Sequence, residues 1–156
     1  MGVTPSGFFN IRPADQNDLP GMLALYRHLN PDDPELDEEL AAGRFGEMLA
    51  HPGMTIFIGA VNETTSSTVT LVTIPNLTRG GAPYALIENV VTHVRFRQRG
   101  HAGALIRHAF ESAWQQGCYK VMLLTGSTNP ATLKFYEGCG FVQSKTGFQI
   151  RRPREI

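Results

Sequence analysis

Residues 96–106 read Phe96-Arg97-Gln98-Arg99-Gly100-His101-Ala102-Gly103-Ala104-Leu105-Ile106. The run follows an apolar, strand-like stretch and opens an amphipathic pattern, so it predicts a strand, a glycine-containing turn and a helix in succession. The N–H groups at a helix start have no intrahelical partner, and the helix dipole places about half a positive charge there. Small residues at Gly100, Ala102 and Gly103 allow a ligand to approach closely. The sequence therefore predicts a pyrophosphate site at the start of this helix.

Spacing separates this run from two other phosphate-binding loops. A Walker loop ends in Gly-Lys-Ser/Thr, whereas here the chain continues as Gly100-His101-Ala102. A dinucleotide-binding βαβ unit has an acidic residue about 20 positions further on, where this chain has Gly117-Cys118-Tyr119-Lys120. A P-loop is therefore excluded and a nicotinamide site is disfavoured.

The run instead resembles the Arg-x-x-Gly-x-Gly/Ala loop of the GNAT N-acetyltransferases, with residues 97–102 in the matching positions. A second match lies downstream, where Asn129 is followed seven residues later by Tyr136 and then by Gly140-Phe141. This spacing is similar to the second acetyl-CoA motif of the same family. Thr132 departs from the Ala that is more common there.

The resemblance covers about residues 12–152 and is strongest over 87–141. It implies an α/β protein with the GNAT fold: a mixed, mostly antiparallel central sheet, a splayed pair of parallel strands and helices on both faces. The parallel strands would be residues 84–93 and 119–125, with acetyl-CoA between them as cosubstrate.

By the same resemblance, main-chain groups of the first parallel strand would line the pantetheine and thioester, and the glycine-containing loop would bind the pyrophosphate. Asn129 would reach the pantetheine arm, while Phe135 and Tyr136 would lie beside the sulfur. Two simpler interpretations stay open, in which the loop glycines only allow close packing and the arginines are solvated charges. The predicted cofactor-binding residues are Val90, Val91, Thr92, Arg97, Gln98, Arg99, Gly100, His101, Ala102, Gly103, Asn129, Phe135 and Tyr136.

Composition limits the remaining function classes. A chain of 156 residues fits one domain, here 1–156, and its formal net charge of zero gives no broad reason to expect nucleic acid or an anionic membrane as partner. Only two cysteines occur, and no secretory or membrane-spanning segment is recognised, so we expect a cytoplasmic protein with reduced thiols. The five histidines lack metal-ligand spacing, and we expect no metal.

The periodicity of apolar residues predicts the elements. A first helix follows Asn17 or Asp18 as N-cap and ends before Pro31, and a second covers about 35–49. Strands are expected near residues 8–12, 55–61, 68–74, 84–93, 121–124, 141–143 and 148–152. Core-facing side chains are predicted at Leu36, Leu40, Phe45 and Leu49 in the second helix and at Leu105, Ile106, Ala109, Phe110, Ala113 and Trp114 in the third.

The implied chemistry needs a base, an oxyanion donor and an acid. An amine with a pKa near 10 is mostly protonated at pH 7, so a base must take its proton. The resemblance suggests Glu88 as that base. His93 is a second candidate, although the alternation of side chains along the strand would direct it away from the site. The amide of Val90 or Val91 would hold the oxyanion, and Tyr136 would protonate the leaving thiolate. Two alternatives stay open. Glu88 has only a structural role and water alone is the base, or Tyr136 is only a packed tyrosine whose hydroxyl has a structural partner.

The acceptor is expected to be a small-molecule or peptide amine. Asn89 is a candidate substrate residue, with the alternative that it only caps a local irregularity of the strand. Residues 87–91 and 117–121 resemble the glucosamine 6-phosphate N-acetyltransferase branch. That branch, however, has Asp in place of Asn89 and an acidic residue where this chain has Thr125-Gly126-Ser127. Amino-sugar phosphate is therefore a secondary hypothesis. A catalytically silent acetyl-CoA-binding module stays an alternative. The resemblance also implies a homodimer, because final strands with exposed edges often pair in this family.

Overall fold

The computed structural model describes residues 8–154, and the single domain predicted for 1–156 extends past these residues at both ends. Contacts divide the chain into two compact units, one through Leu123 and the other from Leu124 onward. Within 8–154 the strands are β1 (Phe9–Pro13), β2 (Met54–Val61), β3 (Thr64–Ile74), β4 (Tyr84–Thr92) and β5 (Val121–Leu123). The α-helices of that segment are α1 (Leu19–Leu29), α2 (Glu38–Ala50), α3 (His101–Gln115) and α4 (Pro130–Gly138).

The strands form one mixed sheet in sequence order, which confirms the predicted α/β fold class. Strands β1 to β4 pair antiparallel with their neighbours, and β4 pairs parallel with β5. The β2–β3 hairpin turns at Asn62 and Glu63, whose φ values are 47° and 68°. Two successive residues with positive φ give a turn whose twist matches that of the flanking strands.

Helices cover both faces of the sheet in the first unit. Ile56 of β2 packs with Met22 of α1 and Phe45 of α2 in one buried cluster. The next residue, Phe57, meets the ring of His108 on α3, with ring centroids 4.8 Å apart. Because successive side chains of a strand point to opposite faces, α1 and α2 lie on one face and α3 lies on the other.

A β-bulge interrupts β4 at the position that the sequence marks as functional. Thr70 of β3 lies opposite Glu88, but Thr68 lies opposite Val91, so β4 has one extra residue in this interval. Asn89 takes up that residue with a φ of 52°, a conformation that Asn tolerates better than most side chains. The bulge shifts the alternation of β4, and Glu88 and Val91 consequently face the same side of the sheet.

The N-terminal segment of α1 is held by a charge pair rather than by a simple side-chain cap. Asp15 caps a short turn at 16–18, and the carboxylate of Asp18 accepts two guanidinium N–H groups of Arg12 at 2.7 Å each. Asp18 is the N-cap residue of α1, as predicted, yet its side chain makes no cap bond to that helix.

Parts of the helix predictions are wrong. Helix α2 begins at Glu38 because Asp37 caps the N–H of Leu40, and Leu36 and Leu40 are 51% and 46% exposed instead of buried. In α3, Trp114 is 49% exposed although Ala113 beside it is fully buried. The buried positions 105, 109 and 113 follow one face of the helix, and Trp114 lies one residue, about 100° of helix rotation, further round.

The final strands predicted near 141–143 and 148–152 are also wrong. Both segments lack regular secondary structure, and Val142, Phe148 and Ile150 are more than 80% exposed. Strand β5 is likewise shorter than predicted, ending at Leu123, with Leu124 71% exposed. An apolar composition indicates only that the side chains suit the surface of a sheet. A strand also needs a neighbouring backbone with which its N–H and C=O groups can pair.

Candidate functional site

Strand β4 has an open edge beside the bulge. Its parallel pairing with β5 runs from Ala85 opposite Val121 to Ile87 opposite Leu123. Within residues 8–154 no strand pairs with 88–92 on that side. An extended ligand can therefore approach the backbone of 88–92 as a neighbouring strand would.

Peptide groups beyond the bulge are oriented by the partner strand. The N–H of His93 donates to the carbonyl of Ser66 on β3. Since peptide groups alternate between the two neighbours of a strand, Val91 also faces β3, whereas Val90 and Thr92 face the open edge. Of the two amides predicted as oxyanion donors, Val90 is the one with its N–H directed away from β3.

A loop with two positive φ angles leads from β4 into α3. Gln98 and Gly100 have φ values of 61° and 82°, and the first intrahelical bond runs from the N–H of Ala104 to the carbonyl of Gly100. The helix receives no side-chain cap from the described residues. Its first turn therefore presents unpaired donors, as an anion site requires. These donors are the N–H groups of His101, Ala102 and Gly103.

The two arginines of the loop make contacts within the loop. Arg97 donates from Nε to the carbonyl of Thr92 at 3.3 Å, which ties the loop to the end of β4. The guanidinium of Arg99 lies over the ring of Phe96, 5.3 Å from its centroid. Both side chains remain exposed, so these contacts leave charged N–H groups available to a phosphate.

The side chain of His101 anchors the start of α3 to the sheet. It is 8% exposed, stacks on the ring of Phe9 with centroids 4.0 Å apart, and has Nδ1 3.2 Å from Oγ of Ser66. Burial, together with the nearby charge of Arg99, lowers the pKa of His101 below its usual value. The imidazole is therefore neutral at pH 7, and its role here is to position the loop.

Tyr26 of α1, which was not among the predicted site residues, lies beside the bulge. Burial raises the pKa of Tyr26, and the nearby polar side chains of Thr70 and Asn89 partly offset that rise. Thr70 is also the cross-strand partner of Glu88, so the predicted base and the hydroxyl groups share one face of the sheet. The signal was available in the sequence, because a tyrosine on an apolar helix face needs a partner for its hydroxyl.

His93 also faces α1, contrary to the expected alternation, because the bulge shifts the strand by one residue. Its ring meets that of His28 on α1, with centroids 4.4 Å apart. However, Nδ1 of His93 accepts the N–H of Arg95, which places the proton of the neutral ring on Nε2. Burial and then the charge of His28 lower the pKa of His93. With Nε2 already protonated, His93 is a poor general base.

The second unit contains the other predicted motif. Asn129 is the N-cap of α4, and its Oδ1 accepts the N–H of Ala131 at 3.0 Å. Tyr136 is half-buried, with its ring 5.1 Å from that of Phe135 and 6.4 Å from that of Phe141. Burial, with a smaller contribution from Cys139, raises the pKa of Tyr136, so its hydroxyl keeps its proton at neutral pH.

Two further properties concern residues 8–154. No grouping of three or more His, Cys, Asp or Glu in this segment is arranged to hold a metal ion. None of its helices has the length and apolar character needed to cross a bilayer.

Comparison with known proteins gives consistent matches. The sequence model of the Acetyltransferase (GNAT) family matches residues 22–141. Glucosamine 6-phosphate N-acetyltransferase of Trypanosoma brucei brucei is 32% identical over 133 residues, which cover 84% of this chain and 87% of that protein. Glucosamine 6-phosphate N-acetyltransferase 1 of Oryza sativa subsp. japonica is 31% identical over 140 residues, covering 86% and 82%. A solved structure named "Putative acetyltransferase from Agrobacterium tumefaciens str. C58" is 55% identical, with a TM-score of 0.89 over 92% of this chain and 99% of that one.

Proposed function

Because this chain belongs to the GNAT acetyltransferase family, we propose that it moves the acetyl group of acetyl-CoA to a primary amine by direct attack in a ternary complex. The observation that carries this proposal is the continuity of the open edge of β4 with the unpaired N–H groups at the start of α3. One ligand with an amide-containing arm and a pyrophosphate matches both features. The family match crosses from the first unit into the second, which supports a single acetyltransferase domain.

Acetyl-CoA binding is assigned to the backbone more than to side chains. The peptide groups of Val90 and Thr92 pair with the pantetheine arm, and the N–H groups of 101–103 bind the pyrophosphate with help from Arg97 and Arg99. Asn129 uses Oδ1 to cap α4, so its Nδ2 group is the end that donates to the cosubstrate. Phe135 and Tyr136 are assigned to the thioester sulfur by the family motif.

The reaction follows from three groups. Glu88 takes a proton from the ammonium form of the acceptor, and the neutral nitrogen attacks the acetyl carbonyl carbon. The resulting oxyanion is held by the N–H of Val90. When the tetrahedral intermediate collapses, the C–S bond breaks, the sulfur keeps the electron pair, and Tyr136 gives it a proton. The nitrogen, which is positively charged after the attack, releases its second proton to solvent, and the product is a neutral amide. Bulk water then restores the protonation states of Glu88 and Tyr136.

The acceptor is proposed to be a small primary amine, with Asn89 at its binding site because this residue occupies the bulge beside Glu88. Glucosamine 6-phosphate is the secondary candidate, favoured by the names of the relatives and disfavoured by the loss of two acidic positions at Asn89 and 125–127. A peptide amine stays an alternative acceptor. The homodimer and the cytoplasmic location stay predictions.

The test is CoA release from acetyl-CoA by the purified chain with a panel of amines. The panel contains glucosamine 6-phosphate, an aminoglycoside, small alkylamines and a lysine-containing peptide, and each product is identified by mass. Amine-dependent CoA release with a new N-acetyl product supports the proposal. Binding of acetyl-CoA with only slow thioester hydrolysis across the panel would favour the silent acetyl-CoA-binding module.

A further inference from the structure

The loop between β4 and α3, residues 93–101, is fixed to the sheet at both of its ends. At its start, the N–H of His93 donates to the carbonyl of Ser66 at 2.8 Å. At its end, Nδ1 of His101 lies 3.2 Å from the hydroxyl oxygen of the same serine, which is fully buried. The path of the chain between these two anchors therefore decides how the unpaired N–H groups in the first turn of α3 are presented.

The side chain of His93 holds the first turn of this loop. Its Nδ1 accepts the N–H of Arg95 at 3.1 Å, and its main-chain carbonyl accepts the N–H of Phe96 at 2.9 Å. An imidazole nitrogen accepts a hydrogen bond only while it carries no proton. Because Nε2 holds the proton of the neutral ring, a second proton must go to Nδ1, and the bond from Arg95 is then lost.

Phe96 connects that turn to the candidate pyrophosphate site. The centroid of its ring lies 6.0 Å from that of His93 and 6.2 Å from that of His101. The guanidinium of Arg99 lies over the same phenyl ring. A movement of Phe96 would therefore displace both an arginine assigned to the pyrophosphate and the first residue of α3.

A protonated His93 also meets other positive charges. The ring of His28 faces it from α1 at 4.4 Å, Arg95 and Arg97 belong to its own loop, and β3 faces it with the uncharged Ser66. Burial, then His28, Arg95 and Arg97, lower the pKa of His93. The ring is therefore neutral at pH 7 and takes up a proton only below the usual histidine value of about 6.5. Protonation then adds charge repulsion to the loss of the hydrogen bond.

We propose that His93 is a positioning residue whose neutral imidazole fixes the turn at 94–96, and through it the acetyl-CoA-binding N–H groups at the start of α3, and whose protonation releases them. This inference rests on the proposed acetyltransferase function. Affinity for acetyl-CoA is then complete above about pH 6.5 and is lost as the pH falls through the lowered pKa of His93. The step is a reversible protonation of Nδ1 by solvent, and no covalent bond to the ligand forms or breaks.

The first test needs neither ligand nor turnover. Hydrogen exchange at the Arg95 amide of the free full chain is measured by NMR and divided by the unstructured rate at each pH. This ratio should rise about three- to tenfold as the His93 ring is protonated, because the N–H loses its acceptor. His93→Asn should abolish the change, since asparagine supplies an oxygen that caps a turn at every pH. Exchange at Arg95 that ignores the titration of His93 would overturn the proposal.

The second test is calorimetric titration with acetyl-CoA at pH 7.5 and pH 5.5. His93→Asn should bind like the wild type at pH 7.5, whereas at pH 5.5 the wild-type Kd should be about three- to tenfold higher than that of the variant. His51→Asn is the matched control. Nδ1 of His51 accepts the N–H of Gly53 at 3.1 Å, a bond of the same kind at the end of α2, and this variant should follow the wild type at both pH values. Ionisation of the ligand itself affects all three proteins alike.

Equal Kd values for the wild type and His93→Asn at pH 5.5 would contradict this role of His93. Tighter binding by the wild type in acid would also contradict it, because a protonated ring would then attract the phosphates directly. If none of the three proteins bound acetyl-CoA at either pH, the proposed function would be refuted instead, and hydrogen exchange at Arg95 would still decide whether His93 fixes the turn.

Discussion

The Nδ1 atom of His101 lies 3.2 Å from Oγ of Ser66, which joins the first residue of α3 to β3. The hydroxyl of Ser66 donates to the carbonyl of Gly59, so its oxygen is left to accept a hydrogen bond from the N–H at Nδ1. This fixes the neutral tautomer of His101 with hydrogen on Nδ1. A side chain of the phosphate-binding loop is thus tied to the sheet, and the adjoining N–H groups are held in place before a ligand arrives.

His101→Phe should weaken binding of acetyl-CoA. The substitution keeps the stack on Phe9 but removes the bond to Ser66, so the loop must be ordered by the ligand itself. We expect the Kd for acetyl-CoA to rise about three- to tenfold, the effect of one hydrogen bond. Binding of S-acetyl-pantetheine, which lacks the pyrophosphate, should not change. Calorimetric titration measures both. The control is His108→Phe, at a ring that packs on Phe57 about two turns further along α3. Equal losses for the two ligands would contradict this role.

Gly100→Val should weaken acetyl-CoA binding by about tenfold or more, because the added methyl groups occupy the space through which the pyrophosphate approaches. Gly100 has a φ of 82°, and no atom lies within 4 Å of the place where its Cβ would stand. The substitution therefore also strains the backbone, by about 1–2 kcal/mol.

Gly117→Val provides the matched control for that strain. Gly117 follows the other end of α3 with the same φ of 82° and the same open space where a Cβ would stand. Both variants should melt at similar, lowered temperatures, but Gly117→Val should bind acetyl-CoA like the wild type. If the two variants lost affinity equally, the loss would come from destabilisation, and the loop would not be the pyrophosphate site.

Local sequence patterns were sufficient to predict the loop and the helix start that form the candidate pyrophosphate site. The turn at Gly100 and the helix after it follow from glycine at a positive φ and from the apolar spacing of 105–113. The strands of the β2–β3 pair were likewise predicted, near residues 55–61 and 68–74. Such features need only residues that are near each other in the chain.

Features that depend on pairing between distant residues were not predicted. The bulge at Asn89 is set by the register of β3 against β4, and it reverses the side on which His93 was expected. The approach of Tyr26 to Thr70 needs the position of α1 over that register. The missing strands at 141–143 and 148–152 show the same limit, since apolar composition does not supply a partner strand.

Asp18→Asn should destabilise the protein at neutral pH by about 1–3 kcal/mol, because the Asp18 carboxylate bonds Arg12 and the N–H of Asp15. Its side chain is 8% exposed, but that of Arg12 is 39% exposed, so the purely ionic share is small.

The hydrogen bond from Arg12 lowers the pKa of Asp18 in the folded protein. A lowered folded pKa stabilises the protein above the unfolded value of about 3.9, and this stabilisation is lost as the pH falls through the folded value. Urea unfolding should therefore show the variant and the wild type converging below about pH 4. Asp32→Asn, at an exposed carboxylate, should show no such convergence. A difference between Asp18→Asn and the wild type that stayed constant down to pH 2 would contradict the assignment.

Glucosamine 6-phosphate should be a poor acceptor, with kcat/KM below about 10⁴ M⁻¹s⁻¹, because Asn89 and residues 125–127 lack the carboxylates expected near a cationic amine. Asn89→Asp should raise kcat/KM for this acceptor. Aspartate tolerates the positive φ of this position nearly as well as asparagine, so the bulge should persist. Steady-state kinetics with both proteins measures the effect. Efficient turnover by the wild type would show that the missing charges do not decide the substrate.

Tyr136→Phe should lower turnover at pH 7 by roughly 10²–10⁴-fold if Tyr136 is the acid that protonates the departing thiolate. The ring contacts with Phe135 and Phe141 are kept, so acetyl-CoA affinity and melting temperature should stay close to those of the wild type. Burial raises the pKa of Tyr136, which keeps the proton available over the whole neutral range. The CoA thiol, with a pKa of about 8.5 by analogy with cysteine, leaves more easily as a free thiolate at higher pH. The deficit should therefore shrink as the pH rises.

The test is to measure rates of CoA release from pH 6 to about 9.5, with an amine that the wild type acetylates. Tyr119→Phe serves as the control for a lost phenol. Wild-type turnover by Tyr136→Phe at pH 7 would remove this residue from the mechanism.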